Sequence, residues 1–139
     1  MAVGGGGLAA GVALGLDPGV RVRGAQVVQN AAFAALARGE ATGPLQATIA
    51  DGIAGGIEGR SVPLDILGDV DFELRLVTED EVHDALRVAG ARLGIRIEGS
   101  AAVALAAALA EPVASDEVCV VLSGANITDE LYDAVLSGA

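Results

Sequence analysis

Apolar residues along the chain follow two rhythms, one recurring every three to four positions and one every second position. After a run of glycines, Leu8, Val12 and Leu16 recur at i, i+4 and i+8, which predicts a helix with those three on its buried stripe. Asp17, Pro18 and Gly19 end it. Residues 20–26 read as a strand. Asn30 is placed to cap a helix through Ala37 that Gly39 closes. Residues 40–63 are turn-rich and read as an irregular loop of the kind that carries function. Phe72, Leu74 and Leu76 alternate with Glu73 and Arg75, so a strand with one wet face is expected, near a sheet edge.

Thr78-Glu79-Asp80-Glu81 has the form of a capping box, in which hydroxyl and carboxylate satisfy each other's free amides. The helix it opens runs to about Leu93, with Val82, Leu86, Ala89 and Leu93 buried and Glu79, Asp80, Asp84 and Arg87 wet. Residues 95–97 read as a short strand. Ser100 can cap an alanine-rich helix over 101–110, whose small side chains allow close packing on a sheet. Residues 118–122 form an unbroken apolar run, as expected of a central parallel strand buried on both faces. Thr128 begins the last helix. Helix and strand alternate throughout, which makes the fold class α/β in one domain over residues 1–139.

Composition narrows the chemistry. With 139 residues, 53% of them hydrophobic, the chain buries about 68% of its unfolded surface without disulfides or metals. A net charge of −11 and three aromatic residues exclude a basic, stacking surface for nucleic acid, and anionic membranes would repel the chain. The uncharged stretch 1–16 is too short for a bilayer and lacks a basic signal-peptide start. Cys119 stands alone among valines and reads as a buried, inert thiol, which points to a reducing, cytoplasmic setting. All eight basic residues are arginines. Without a lysine, neither a Schiff base nor a Walker-type phosphate contact can form within this chain.

Two constellations invite chemistry. Gly4, Gly5, Gly6 and Gly7 lie between a strand-like 1–3 and a helix, so unhindered N–H groups can curl around an anion; the plain alternative is a flexible end. Ser123-Gly124-Ala125-Asn126 follows the apolar run 118–122, at the carboxyl end where open α/β sheets place ligands. There the alternative is ordinary turn chemistry.

Taken in order, the stretches 3–11 (VGGGGLAAG), 48–54 (TIADGIA), 98–102 (EGSAA) and 122–126 (LSGAN) resemble the motifs of serine/threonine dehydratases, also called threonine ammonia-lyases. The resemblance spans essentially the whole chain but only the carboxyl-terminal half of such an enzyme. It implies a three-layer open parallel sheet, tryptophan-synthase-β-like, of the fold type II pyridoxal-phosphate enzymes. It also implies pyridoxal 5'-phosphate as cofactor, with Gly4, Gly5, Gly6, Gly7 and Leu8 around the phosphate and Ser123 at the pyridine nitrogen. Gly52 and Asp51 would lie beside the cofactor, and Glu98 would approach its ring. For Glu98 the alternative is a carboxylate favoured by a helix N-terminus, and for Asp51 a turn.

The remaining candidates are weaker. His83 sits between charged neighbours, away from every motif, and is expected in solvent. Asp69, Asp71, Glu73, Glu79, Asp80, Glu81 and Asp84 follow a strand face and a helix start, which suits a solvated surface better than a cation site. Gln26 stands where some dehydratases carry their first acidic metal ligand, so no metal is expected, and Ala101 replaces the family's usual glycine. The family's Schiff-base lysine belongs to the amino-terminal half, which this chain lacks. The expectation is a fragment, inactive alone, of an enzyme that converts L-threonine or L-serine to a 2-oxo acid and ammonia. Its partners would be an amino-acid substrate and either the missing half or a second copy, with no nucleic acid and no membrane. The alternative is a noncatalytic phosphate- or cofactor-binding domain or a partner subunit of a split enzyme.

Overall fold

The computed structural model describes residues 1–17, 19–57, 61–111 and 117–138. Its sheet is parallel, with β1 (Val22–Val27) paired to β2 (Phe72–Val77) from Val22 opposite Phe72 to Val27 opposite Val77. On the other side of β1, Ala2 forms a parallel bridge to Ala25, where Val3 N donates to Ala25 O at 2.8 Å and Ala25 N to Met1 O at 2.9 Å. Residues 1–3, β1 and β2 therefore lie side by side, and β2 has the edge position its alternating sequence suggests.

Successive strand residues face opposite sides, and this divides the core into two clusters that sandwich the sheet. Ala2, Ala25, Val27 and Val77 pack with α4 (Glu79–Val88), α5 (Gly99–Ala110) and Val135 of α6 (Asp129–Ser137). Val3, Phe72 and Leu74 face α1 (Gly7–Gly15), Phe33 of α2 (Ala32–Ala37) and Leu67 of α3 (Val62–Gly68). The result is a three-layer α/β arrangement. The capping box forms as expected: Glu81 N donates to Thr78 Oγ1 at 3.3 Å and Thr78 N to Glu81 Oε2 at 2.7 Å. Residues 99–106 of α5 are all buried, as its small side chains permit. Thr128 caps α6 by accepting from Leu131 N. Among the described residues no helix is long and apolar enough to cross a membrane.

Several elements depart from expectation. On α1 the buried residues are Ala9 and Ala10, while Leu8 and Leu16 are exposed, because alanines let the helix lie close over Val3 and Phe33. Leu93 is likewise exposed. Residues 95–97 and 118–122 have no ladder partner among the described residues and are not strands. Val118 is 55% exposed, only Leu122 reaches the core, and a strand buried on both faces needs neighbours on both edges. Cys119 is consequently exposed, not buried.

The caps also differ. Asn30 caps no helix; its amide Nδ2 donates to Gln46 O at 2.7 Å and its Oδ1 accepts from Gln46 N at 2.8 Å, which pins the loop after α2. Ser100 lies inside the first turn of α5 behind Glu98, so it makes no cap, and its buried Oγ has no hydrogen-bond partner among the described residues. His83 is half-buried. Arg87 is not simply wet, because its Nε reaches Val135 O at 2.9 Å and ties α4 to α6.

Candidate functional site

The glycine run leaves the 1–3 segment and turns sharply into α1. Gly6 makes the turn with φ +86°, the left-handed region where a Cβ is strained. A Cβ there would also meet Phe33 Cε2 at 2.5 Å and Pro63 Cβ at 2.9 Å. Gly5 and Gly7, by contrast, face open space. The first-turn N–H groups of Gly7, Leu8 and Ala9 have no carbonyl to bond within their helix, and the helix dipole adds positive potential at that end.

Two distant segments meet this loop. The 3-10 turn Asp51–Ile53 brings up Gly52 and Ile53, and Ser123 arrives from the far end of the chain. Together with Gly4, Gly5, Gly6, Gly7 and Leu8 they line one cavity of about 260 Å³. Asp51 itself is exposed and belongs to the turn, with its carbonyl accepting from Ala54 N at 3.1 Å. The arrangement offers backbone donors and a helix N-terminus on one wall and a hydroxyl on another. It suits a small ligand with an anionic end and a second polar group within reach of the hydroxyl.

Glu98 stands beside this cavity, not among its lining residues. It is the N-cap of α5, where its carbonyl accepts from Ala102 N at 3.0 Å, but its carboxylate does not cap that helix. Its Oε2 accepts from Asn126 N at 2.9 Å, and its backbone N donates to Gly124 O at 3.1 Å. Gly124 lies so close to Oε1 that a Cβ would collide with it. Gly52 has Ser100 Oγ behind it, 2.8 Å from where its own Cβ would be.

Other candidates are engaged elsewhere. Gln26, 1% exposed, accepts from Ala34 N at 2.9 Å on its Oε1 and so holds the start of α2. The acidic side chains are taken up by arginines: Asp71 pairs with Arg21, Glu73 with Arg23 and Arg21, Glu81 with Arg75 and Asp84 with Arg87. Glu79, expected in water, is half-buried and bonds Thr48 and Ile49 instead. No local pattern announces that contact, since its partners lie 31 and 30 residues away. Ala2, Val3 and Ile53 also line the cavity; their apolar character marks them only as strand or core.

A family profile described as pyridoxal-phosphate dependent enzyme matches residues 1–124. The chain belongs to that family. Members depend on pyridoxal phosphate, and the fold type II architecture expected from the motifs agrees with the solved relatives. Serine racemase of Mus musculus is 39% identical over 137 residues, covering 90% of this chain and 40% of the racemase. L-threonine ammonia-lyase of Thermotoga maritima is 33% identical over 141 residues, covering 97% of this chain and 35% of that enzyme. Maize serine racemase superposes with a TM-score of 0.80 at 26% identity, over 99% of this chain and 45% of that one. The T.th. threonine deaminase gives 0.77 at 29% identity, over 91% and 48%. The chain thus spans about 40% of the length of the curated relatives it matches.

Proposed function

We propose that this chain supplies the phosphate and ring-nitrogen side of a pyridoxal-phosphate site, in an enzyme that eliminates water from L-threonine or L-serine, after which hydrolysis of the released imine takes up one water and yields ammonia and a 2-oxo acid. The observation that carries the reading is the meeting of Gly4–Gly7 and Ser123, from opposite ends of the sequence, in one cavity of about 260 Å³. The residues present fit the group: an open glycine cradle with a helix N-terminus for the dianion, and a neutral hydroxyl for the ring. When bound, the cofactor draws electron density from the substrate's Cα and so lets the β-hydroxyl leave.

In this proposal the N–H groups of Gly4, Gly5, Gly6, Gly7 and Leu8 hold the phosphate. Ser123 Oγ meets the pyridine nitrogen. A neutral hydroxyl does not favour a protonated ring as an aspartate would, which restrains the electron sink and favours β-elimination over deeper carbanion chemistry. Gly52 lies beside the ring, its missing Cβ making room for Ser100 Oγ, and Glu98 orients the Ser123 turn through Asn126. The chain contains no lysine, so the covalent anchor of the cofactor comes from a separate lysine-bearing segment. The 39% identity to mouse serine racemase supports a second reading, in which the same site inverts the Cα of serine.

Calorimetric titration of the chain with pyridoxal phosphate, pyridoxal and inorganic phosphate tests the site. Pyridoxal phosphate binds far more tightly than pyridoxal, and phosphate competes; Ser123→Ala costs only about 1 kcal/mol, one neutral hydrogen bond. Equal affinity for pyridoxal and its phosphate would mean that the glycine loop holds no anion. With L-threonine and cofactor the chain alone releases no 2-oxobutanoate above free cofactor, and turnover at the rate of a whole dehydratase would refute the role given to the missing lysine. Co-expression with a lysine-bearing half separates the readings, as 2-oxo acid marks elimination and D-serine marks inversion.

A further inference from the structure

We infer that Glu79 is the positioning residue for the cofactor-facing turn Asp51–Ile53, an inference that rests on the function proposed above. Glu79 is the first residue of α4, yet its carboxylate takes no part in capping that helix, which Thr78 and Glu81 already do for each other. Its two oxygens point instead to the segment before the turn. Oε2 accepts from Thr48 Oγ1 at 2.7 Å and Oε1 accepts from Ile49 N at 2.5 Å. Thr48 Oγ1 in turn accepts from Ala50 N at 3.0 Å.

One carboxylate therefore fixes three consecutive residues, 48, 49 and 50. The next three are Asp51, Gly52 and Ile53, of which Gly52 and Ile53 line the cavity. The segment is held from behind as well, because Gly99 at the start of α5 lies directly against the Ile49 carbonyl, where any Cβ would collide. Ala50 is fully buried between these supports. The two oxygens of one carboxylate thus serve two separate donors at once, a pairing that a single hydroxyl or carbonyl oxygen could not span. The neighbouring Asp80 is exposed.

The test compares Glu79→Ala, Thr48→Val and Thr48→Ser, with Asp80→Ala as the control. Amide exchange over residues 49–53 is followed in the cofactor-free chain, alongside pyridoxal-phosphate affinity and the denaturant midpoint. Glu79→Ala and Thr48→Val each speed exchange at 49–53 and weaken cofactor binding by about tenfold, the scale of a charge-assisted hydrogen bond. The double variant is little worse than either single one, as coupled partners require. Thr48→Ser, which keeps the hydroxyl, behaves as the unsubstituted chain, and so does Asp80→Ala. Unchanged exchange in Glu79→Ala overturns the inference, as does faster exchange with unchanged affinity. Affinity that falls only in step with the midpoint, without recovery in Thr48→Ser, reduces Glu79 to a structural residue and overturns it too. If the unsubstituted chain binds no cofactor, the proposed function falls by itself, and exchange at 49–53 still decides whether Glu79 holds the turn.

Discussion

Glu98 accepts the backbone N–H of Asn126 on its Oε2 at 2.9 Å, across 28 residues of sequence. With Glu98 N donating to Gly124 O, it grips both ends of the tripeptide that follows Ser123. Asn126 is exposed, so water can replace the lost acceptor in Glu98→Ala, and the cost to stability is about 1 kcal/mol. The effect on Ser123 is larger than that figure implies, because the turn loses its register to α5. Glu98→Gln retains an acceptor oxygen and recovers most of the loss. Urea unfolding together with amide exchange at 123–126 measures both; identical exchange in Glu98→Ala and the parent would show that the bond does not hold the turn.

Where both partners of an interaction lie within four residues, the sequence makes the structure legible. Thr78 and Glu81 are three apart and form the expected box, and Thr128 caps α6 in the same local way. The strand-like start, glycine loop and helix of residues 1–15 are likewise readable, because glycine content and periodicity change within a few positions. Asn30 and Glu79 mislead for the opposite reason. Each has a residue type suited to a helix start, but its partners, Gln46 and Thr48, come from a loop that only tertiary packing brings near. The run 118–122 shows the limit of hydrophobicity as a guide. Apolar side chains state what a segment can bury, whereas strand formation depends on the ladder neighbours beside it. Of the candidate site, the glycine loop, Gly52 and Ser123 stand out in the sequence and line a shared cavity.

The capping box makes stability depend on pH in one direction. Glu81 is held below the usual glutamate range, chiefly by the Thr78 backbone N–H, with the Thr78 hydroxyl and Arg75 assisting and partial burial opposing. A carboxyl with a depressed folded-state pKa contributes stability that is fully present above its unfolded value, about 4.3. That contribution is lost as the pH falls through the folded value. The denaturant midpoint should therefore decline on acidification below about pH 4.3, and Glu81→Gln should flatten this slope while lowering the midpoint at neutral pH. A variant with the same slope as the parent would place the acid sensitivity in other carboxylates.

Gly5 and Gly6 are adjacent and chemically identical, yet their substitution by alanine should separate folding from binding. At Gly6 the backbone has φ +86°, and a methyl group would press on Phe33 and Pro63. Left-handed strain and overpacking together cost about 2 to 5 kcal/mol, so Gly6→Ala should unfold at markedly lower denaturant. Gly5 has no atom within 4 Å of the added carbon and is exposed, which limits the loss of stability in Gly5→Ala to about 0.5 kcal/mol. The same methyl group, however, projects from a wall of the cavity that an anion must approach closely. Gly5→Ala should therefore keep the parent's unfolding curve and bind inorganic phosphate and pyridoxal phosphate more weakly, while its affinity for pyridoxal is unchanged. Thermal unfolding and three titrations on one variant suffice. Should Gly5→Ala bind all three ligands as the parent does, the anion is not held by the loop, and the open space at Gly5 has another cause.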